Sequence, residues 1–385
     1  METDILILGG GVAGLATAWR LGLAGSGEGV LLCERERTLG SMASAQNAAI
    51  LRTFATAPMT ARIARASARF IADPPEGFSP VPLLDPVGLL LLASGETAHA
   101  METALDAMRA ESGEDLGAVR LGRTEIEGRY PLLSERAASA ELALFFPGEG
   151  RIDTAALLDG FAAGARDRGA ALRTNWEARD LLVEAGVVRG ARFTNGETIR
   201  ARRTVLAAGA WAGKLGAAAG SHVALRPTRR HLLVTAPDPT IDPNLGIAWI
   251  EDEGFYCRPE SGGLLLSACD LTDVDPDRAV DDPEVKALVA EKTARFLRGF
   301  DDAPVAHFWH GLRTLTPDDH FAIGPDPDLE GLFWVAGLGG HGMSCGPEAG
   351  RLAAVSLGAL AARGGDEETL RALSPARLRA ASEPG

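Results

Sequence analysis

The sequence has little of what marks a membrane-spanning, secreted or metal-binding protein. No run of eighteen apolar residues occurs, and the most apolar stretch, residues 86–93, is too short to span a bilayer. No basic segment precedes an apolar one near the first residue, so we expect no cleaved secretion signal. The four cysteines are widely spaced and form no CxxC pair. This pattern indicates free thiols in a reducing cytoplasm, without a disulfide framework or a metal site.

Positive charge is also scarce. The chain carries a net charge of −14, and only three of its 38 basic residues are lysine. Binding to nucleic acid requires concentrated positive charge, so we expect no nucleic-acid partner. What the chain does have is length and apolar residues. Its 385 residues, of which 46% are hydrophobic, are too many for one compact core and favour two domains.

The N-terminal segment has the pattern of a parallel βαβ unit. Residues 4–8 form a short continuous apolar run that ends at glycines, which is typical of a buried strand. Residues 12–24 follow with helical spacing, and residues 30–33 read as a second strand. The connection is then right-handed and the two strands are parallel.

Similar elements recur later and are interrupted by segments rich in strands. We predict a helix over 151–169 and strands at 172–174, 181–184, 187–193, 198–201 and 204–207. A surface helix over 97–112, strands between 223 and 267, a helix over 282–300 and a strand at 306–310 belong to the interrupting parts. The predicted fold is therefore α/β (α+β), with a Rossmann-like domain and a sheet-rich domain that are both discontinuous. The first comprises residues 1–72, 150–220 and 322–385, and the second residues 73–149 and 221–321.

The glycine-rich loop Gly9–Gly14 matches GxGxxG between a strand and a helix. In this context Gly9 permits a tight turn, Gly11 lets the backbone approach a pyrophosphate, and Gly14 lets helix and strand pack closely. The helix N-terminus faces the phosphate charge. Glu34, at the end of the second strand, is placed to accept hydrogen bonds from a ribose. These features predict a dinucleotide site.

Two further segments favour FAD over NAD. Residues 204–211 form a strand that ends in small residues, and this resembles the second nucleotide-contacting strand of two-domain flavoproteins. Residues 333–343 form a strand and a glycine-dense loop, with a helix from about Pro347. Such a loop can bring backbone N–H groups to the edge of an isoalloxazine ring, which is anionic when reduced. An enzyme that uses only NAD has no need of this third segment.

Together these stretches resemble the FAD-dependent amino-acid oxidoreductase family that includes D-amino-acid oxidase, glycine oxidase and monomeric sarcosine oxidase. The likeness covers nearly the whole chain and is strongest to bacterial D-arginine dehydrogenase. Its carriers outside the nucleotide loop are residues 73–78, 82–84, 227–230, 255–256, 311–313 and 373–377.

The resemblance implies a set of site residues. Arg313, Arg230 and Tyr256 are expected to hold a substrate carboxylate, since an arginine offers a planar fork of donors that suits a carboxylate. Arg52 is either a further carboxylate ligand or a structural arginine beside the pyrophosphate, and His341 either a general base or a flavin contact. The expected cofactor contacts, which include residues 45–48 of the segment under the flavin, are Gly9, Gly11, Val12, Ala13, Gly14, Glu34, Arg35, Ala45, Gln46, Asn47, Ala48, Gly209, Trp211, Gly340, His341, Gly342 and Met343.

Departures from the family pattern bear on the substrate. Leu89 stands where the arginine-specific relative has a glutamate for the guanidinium, and Ile50 and Ala55 replace its pocket histidine and tyrosine. The pocket is thus expected to be more apolar, although three converging arginines would suit a second acidic group on the substrate.

Other departures bear on the flavin. Gly311 replaces the cysteine that attaches flavin in the covalent branch, so FAD is expected to be non-covalent. The oxygen-activating lysine of that branch is absent from residues 263–266. This favours a dehydrogenase that passes electrons to a quinone or carrier, with oxygen as the other possible acceptor.

The predicted activity is oxidative deamination of an amino acid, with the D-isomer favoured, by hydride transfer to FAD to give an imino acid. The main alternative within the family is an oxidase of secondary amines such as sarcosine, or of glycine or a cyclic imino acid. An electron-transfer subunit would not need Arg313 and Tyr256. A pyridine-nucleotide disulfide reductase would need a CxxC pair and a second GxGxxG, and a tRNA-modifying flavoprotein does not suit the negative charge.

Overall fold

The computed structural model describes residues 1–112 and 117–379. The small parts of the two predicted domains at 113–116 and 380–385 lie outside the described residues. The strands in the described part are β1 (Glu2–Leu8), β2 (Val30–Cys33), β3 (Ile50–Leu51), β4 (Leu84–Asp85), β5 (Leu89–Ala93), β6 (Val119–Arg120), β7 (Leu142–Phe146), β8 (Gly150–Ile152), β9 (Ala171–Arg173), β10 (Ala178–Glu184), β11 (Val187–Phe193), β12 (Thr198–Leu206), β13 (Arg226–Thr235), β14 (Ile247–Ile250), β15 (Phe255–Glu260), β16 (Gly263–Ser267), β17 (Thr272–Asp273), β18 (Val305–Leu315), β19 (Ala322–Pro325) and β20 (Leu332–Ala336).

Helices alternate with the strands of the first sheet and cover parts of the second. They are α1 (Val12–Leu23), α2 (Pro58–Ala72), α3 (Gly95–Ser112), α4 (Arg123–Arg129), α5 (Glu135–Ala138), α6 (Thr154–Arg166), α7 (Ala212–Ala219), α8 (Pro283–Phe296), α9 (Gly342–Ser356) and α10 (Asp366–Ala372). Short 3-10 turns occur at Gly27–Gly29, Gly209–Trp211 and Pro375–Leu378. No helix in the described part of the chain has the length and apolar character to cross a membrane.

The first sheet has a parallel centre in the order β20-β12-β1-β2-β9. Strand β19 pairs with β20 antiparallel, and β10 and β11 form a hairpin against the start of β12. From Ile5 onward the side chains of β1, and all those of β2, are buried on both faces, since helices α1, α6 and α9 pack on one face and α7 lies near the other. The predicted parallel βαβ unit is confirmed.

The second sheet has nine strands and is mostly antiparallel. Its order is β17-β13-β16-β15-β14-β5-β7-β6, and β18 pairs along β13. Among the strands of this sheet in residues 1–112 and 117–379, only β14 and β5 pair in parallel. A third sheet of β3, β8 and β4 is antiparallel. Each large sheet draws strands from separate parts of the chain, and the predicted mixed α/β class is confirmed. The domain boundaries themselves stay predictions.

Several bounds differ from the sequence prediction, and three of the differences have a clear structural reason. The strands predicted at 198–201 and 204–207 are one strand, β12, since its first residues pair with β11 and its remainder with β1. Helix α9 begins at Gly342 and contains Pro347 in its interior. A proline one turn into a helix removes a single backbone hydrogen bond, so the helix start does not have to coincide with it. Helix α6 is shorter than predicted because residues 150–152 pair in the third sheet.

Candidate active site

A cleft of about 500 Å³ lies where the parallel strands of the first sheet end. The residues that directly follow β1, β2, β12 and β20 all line it, namely Gly9, Glu34, Ala207 and Gly337. Parallel strands point their carboxyl ends at one edge, and ligands of open α/β sheets bind there. Residues of β13, β14, β15 and β18 of the second sheet line the same cleft.

The glycine loop has the geometry that a dinucleotide motif requires. Gly9 has a φ of 113°, and a Cβ there would meet the Ala207 carbonyl oxygen at 2.3 Å. A Cβ on Gly14 would lie 2.0 Å from the Gly9 carbonyl oxygen. Helix α1 starts directly after the loop and has no acidic residue in its first turn. Its positive end is therefore free to accept a phosphate charge.

Glu34 is held by the backbone at the end of β2. Its Oε2 accepts a hydrogen bond from the Gly10 N–H at 2.6 Å, and its Oε1 accepts one from the Glu36 N–H at 2.8 Å. The carboxylate is mostly buried and lines the cleft. Each oxygen has a second lone pair, so the group can still accept from ribose hydroxyls.

Three segments meet around Trp211 in the wall of the cleft: the residues after β2, the start of α7 and the residues after β17. The Arg35 guanidinium lies 4.0 Å from the centre of the Trp211 ring. Trp211 Nε1 donates to Asp277 at 2.7 Å, and Lys214 pairs with Asp277 at 2.5 Å as well as with Asp275. Lys214 and Asp277 both line the cleft but were not predicted, because neither belongs to a motif.

The third predicted segment reaches the cleft through a second helix N-terminus. Residues 337–344 line the cleft, and α9 begins within them at Gly342, again without an acidic residue in its first turn. The positive ends of α1 and α9 therefore both face one cavity. Two such ends fit a cofactor with a diphosphate and a ring that becomes anionic on reduction, so the residues present fit FAD.

Most of the predicted site residues line this cleft. All five predicted catalytic residues do so, and fifteen of the seventeen predicted cofactor residues. The exceptions are Gly14, which is buried between α1 and the loop, and Ala45, which is exposed to solvent. Lining the cleft is a matter of position, so the functional role of each residue stays a prediction.

Arg230 and Arg313 come together through strand register. On the paired strands β13 and β18, Arg230 lies opposite Gly311 and Arg313 lies opposite Thr228. The two arginines are therefore diagonal neighbours on the same face of the sheet. The Arg313 guanidinium lies against Gly340, where a Cβ would come within 2.4 Å of Nη1.

Neither of these two arginines forms an ion pair with a carboxylate in the described part of the chain; the Asp270 carboxylate contacts His231 and acts on both charges only from a distance. Within residues 1–112 and 117–379, Arg313 has no hydrogen bond or ion pair, and Arg230 has one hydrogen bond, from its Nε to the Asp270 carbonyl oxygen at 2.9 Å. Burial and the neighbouring charge of Arg230 lower the pKa of Arg313 to about 10. It remains a cation at neutral pH, and an anionic ligand would relieve the repulsion.

Tyr256 lies on the same face, on β15. Its side chain is 1% exposed, and its ring packs 4.5 Å from that of Trp249 on the adjacent strand β14. Burial raises the pKa of the hydroxyl, so it is protonated and able to donate a hydrogen bond. Trp249 also lines the cleft and was not predicted.

Arg52 lies in the cleft wall but is already paired. Its Nη1 lies 2.7 Å from a Glu251 carboxylate oxygen, and its Nε donates to the Phe54 carbonyl oxygen at 2.7 Å. The guanidinium carbon is 4.8 Å from the centre of the Trp249 ring. A ligand for a second substrate carboxylate would need an unpaired guanidinium, which Arg52 does not have. Among the described residues, no hydrogen bond joins Arg52 to the glycine loop Gly9–Gly14.

His341 lies at the start of α9 and lines the cleft. Burial, and the charges of Arg52, Arg313 and Arg230, lower the pKa of its imidazole to about 3. The ring is therefore neutral at physiological pH and a very weak base. This favours the predicted flavin contact over the general-base role.

We expect His341→Asn to leave the pH dependence of flavin reduction unchanged in shape. The imidazole protonates only near pH 3, so it contributes no ionisation to kcat/KM between pH 5 and 9. A general base contributes about 100- to 10,000-fold, so we expect the rate to fall by less than that. Stopped-flow reduction at a series of pH values checks this. Loss of the acid limb in the variant would show that His341 is the base.

Two residues that the resemblance placed in the substrate pocket lie elsewhere. Leu89 is fully buried in the centre of the second sheet, and Ala55 is buried beside it in the same core cluster. Neither lines the cleft, whereas Ile50 does. The prediction of an apolar pocket wall from Leu89 and Ala55 was therefore wrong: Leu89 lies on the same face of the sheet as Trp249, but it is buried there in one cluster with Phe54 and Ala55.

One group of possible metal ligands lies outside the cleft. Ligand atoms of His231, Asp281 and His310 lie within 4.8 Å of one another. However, His231 Nδ1 is 2.7 Å from an Asp270 carboxylate oxygen, and its Nε2 accepts from the Asp282 N–H at 2.9 Å. Both ring nitrogens are engaged in protein contacts, which explains the group without a metal.

The chain was compared with known proteins. The family model described as DAO, FAD dependent oxidoreductase, matches residues 4–355. Glycine oxidase from Geobacillus kaustophilus is 29% identical over 361 residues, which are 91% of this chain and 92% of that protein. The crystal structure of that glycine oxidase superposes with a TM-score of 0.79 at 26% identity, over 97% and 98% of the two chains.

A more distant likeness shows the fold alone. L-proline dehydrogenase from P. horikoshii has a TM-score of 0.82 at 20% identity, over 98% of this chain and 97% of that one. The family match covers most of the chain, including the glycine loop, both arginines and the start of α9. It agrees with a cleft that fits FAD. The chain belongs to the DAO family of FAD-dependent oxidoreductases.

Proposed function

We propose that this enzyme oxidises an α-amino acid that it holds by its carboxylate beside FAD. The observation that carries the proposal is the pair of uncompensated guanidiniums of Arg230 and Arg313 in the dinucleotide cleft. A substrate carboxylate would accept hydrogen bonds from both and from the Tyr256 hydroxyl. The product of such an oxidation is an imino acid.

The protein residues bind and orient the substrate. FAD supplies the hydride-accepting chemistry. A carboxylate bound at a fixed place restricts where the α-carbon can lie, and such positioning contributes much of the rate enhancement. The buried Tyr256 and the half-buried Trp249 pack together and give this end of the cleft an apolar wall. The neutral His341 adds no positive charge that would compete for the carboxylate.

FAD is proposed to be held without a covalent bond. A Cβ at Gly311 would meet the Gln46 carbonyl oxygen at 2.4 Å, so a cysteine does not fit there without a backbone shift. Cys33 is the cysteine among the cleft-lining residues, and burial raises its thiol pKa to about 12. A thiol with such a pKa is not a nucleophile at neutral pH.

The acceptor is proposed to be a quinone or a carrier rather than oxygen. Of the described lysines, only Lys214 lines the cleft, and it is paired with Asp275 and Asp277. A free ammonium group that would stabilise superoxide is therefore not available at that position. Rapid release of peroxide would contradict this proposal.

The proposed substrates are a smaller set than the substrates of the whole family. The sequence motifs favour D-amino acids, with secondary amines such as sarcosine as the alternative, while the similarity to glycine oxidase favours glycine. Both classes present one carboxylate and an adjacent amine.

We also propose a cytoplasmic location and the two discontinuous domains predicted above.

Anaerobic reduction of the bound flavin tests the proposal. The holoenzyme is mixed with glycine, sarcosine, proline, and the D- and L-isomers of alanine, leucine, aspartate and arginine, and the flavin absorbance is followed. Bleaching by at least one carboxylate-bearing amine, and none by the matching amine without a carboxylate, supports the function. Equal bleaching by both members of such a pair would contradict it.

A further inference from the structure

The wall of the cleft contains an ion pair that the proposed reaction does not use. Arg52 follows strand β3, and Glu251 follows strand β14. Arg52 Nη1 is 2.7 Å from a Glu251 carboxylate oxygen, and the side chains are 13% and 16% exposed. Arg52 lines the cleft, whereas Glu251 lies behind it, outside the lining residues.

The guanidinium of Arg52 is fixed on several sides. Besides Glu251, it donates from Nε to the Phe54 carbonyl oxygen and lies against the Trp249 ring. The Arg52 backbone N–H donates to Ser344 Oγ at 3.2 Å, which joins this segment to the first turn of α9. The group is therefore held in one orientation even without a ligand.

The partner of Arg52 depends on it. The side chain of Glu251 has no other partner among the described residues, and its Oε1 is inaccessible to solvent. A buried carboxylate that loses its only cation is strongly unfavourable. A substrate carboxylate could take Arg52 only by displacing Glu251, which would leave that charge buried and unpaired.

Charged groups on neighbouring elements do not alter the pairing of Arg52 with Glu251. Glu149, the other buried carboxyl of this region, accepts from the Thr53 N–H at 2.7 Å and from the Thr53 hydroxyl. It thus orients the segment next to Arg52 without pairing with the guanidinium. Asp252 faces solvent beside Glu251, and Arg230 and Arg313 remain the uncompensated cations of the cleft.

We propose that Glu251 is a specificity-determining residue that keeps Arg52 from binding a carboxylate. The cleft then takes amines with one carboxylate, bound by Arg230 and Arg313, and rejects those whose second arm is anionic. This rests on the proposed function of the cleft. It does not rest on which amino acid is the natural substrate.

Glu251→Gln is the variant that tests the proposal. The amide has the same shape but no charge, so Arg52 becomes free to bind an anion. Succinate and butyrate are suitable probes, since both have four carbons and carry two and one carboxylates respectively. Their dissociation constants are measured from the perturbation of the flavin spectrum in the holoenzyme. We expect the preference for succinate over butyrate to rise at least about tenfold in the variant.

Two further variants separate charge release from general damage. Glu253→Gln makes the same substitution two residues away, where the carboxylate pairs with Arg136 and Arg295, and should leave the preference unchanged. The double variant Arg52→Gln/Glu251→Gln should lose the gain, because the gain requires the charge of Arg52. FAD content and unfolding temperature establish that each variant is folded.

The outcomes distinguish this proposal from the proposed function. An unchanged ratio in folded Glu251→Gln, an equal gain in Glu253→Gln, or a wild-type enzyme that already prefers succinate would each overturn the role of Glu251. If no amine reduces the flavin but the succinate preference rises as expected, the reaction is wrong while the specificity device stands. If amino acids reduce the flavin but the succinate preference does not change, the proposed reaction stands and the role of Glu251 is wrong.

Discussion

Replacing Arg313 by methionine is expected to abolish most of the turnover without weakening the fold. The side chain is the proposed carboxylate ligand, and loss of one partner of a buried, hydrogen-bonded charge pair costs about 2–5 kcal/mol. This corresponds to a decrease in kcat/KM of about 30- to 3,000-fold. Steady-state kinetics with the best amine of the anaerobic panel, using a dye acceptor, measures it.

The thermal stability of the same variant should not decrease. Arg313 is buried beside Arg230 and has no anionic partner among the described residues, and this lowers its pKa. Removing one of two repelling charges does not destabilise the unliganded protein, so the unfolding temperature should not fall. Methionine also has an unbranched stem that can lie against Gly340.

Arg192→Met is the matched control for this variant. Arg192 lies on β11, is 44% exposed and pairs with Asp180 at 2.7 Å, far in the fold from β13 and β18. Exposed ion pairs contribute little, so its kinetics should match those of the wild type. A loss of less than tenfold in Arg313→Met would show that the substrate carboxylate binds elsewhere.

Gly14→Ala is expected to remove FAD binding and to destabilise the protein. The added methyl group would lie 2.0 Å from the Gly9 carbonyl oxygen and 3.3 Å from Ile7 Cγ2. The first of these atoms belongs to the backbone, so either helix α1 or the glycine loop must shift. Overpacking of this kind costs about 3 kcal/mol. If the whole of this cost falls on the FAD-bound form, the affinity for FAD decreases on the order of 100-fold.

Gly148→Ala is the control for the effect of an added methyl group. No heavy atom lies within 4 Å of a Cβ at Gly148, and its φ is not in the left-handed region. We expect normal FAD content and an unchanged unfolding temperature for this variant. FAD content is read from absorbance after desalting, and unfolding from circular dichroism. A Gly14→Ala protein that keeps its flavin would mean that the helix can move away at little cost.

The charges of the cleft agree with the proposal that the substrate carries one carboxylate. Arg230 and Arg313 contribute two positive charges, while Glu251 neutralises Arg52 and His341 is uncharged. One substrate carboxylate and one anionic reduced ring would balance these two charges. A second carboxylate would exceed them. The proposed function and the proposed role of Glu251 therefore rest on the same count of charges in the cleft.

The cofactor could be predicted from the sequence because its determinants are local. The turn at Gly9, the close packing at Gly14 and the carboxylate at Glu34 are each fixed by a strand, a turn and a helix that adjoin in the chain. The strand at 204–206 and the loop at 337–343 have the same local character. The resemblance then supplied Arg230, Arg313 and Tyr256, and the structure brings all three to one cleft.

Some local predictions were wrong because a residue type does not by itself fix a helix boundary or the packing around a side chain. Pro347 can start a helix, but it can also lie one turn inside one, and here α9 begins at Gly342. Leu89 aligns with a pocket residue of a relative and lies on the same face of the sheet as Trp249. It is nevertheless buried, because Phe54 and Ala55 belong to the same core cluster, and that packing depends on the tertiary structure.

The sequence by itself determined the family and the FAD motif, and it named the residues that we propose bind the carboxylate, because each depends on short segments whose spacing is set by one strand or one turn. Only the tertiary structure decided the electrostatics of the cleft. Arg52 and Glu251 follow strands of different sheets, and their pairing depends on how those sheets pack. Since a charge acts through space and not along the chain, the sequence showed three arginines, whereas the fold leaves two of them free to bind a substrate.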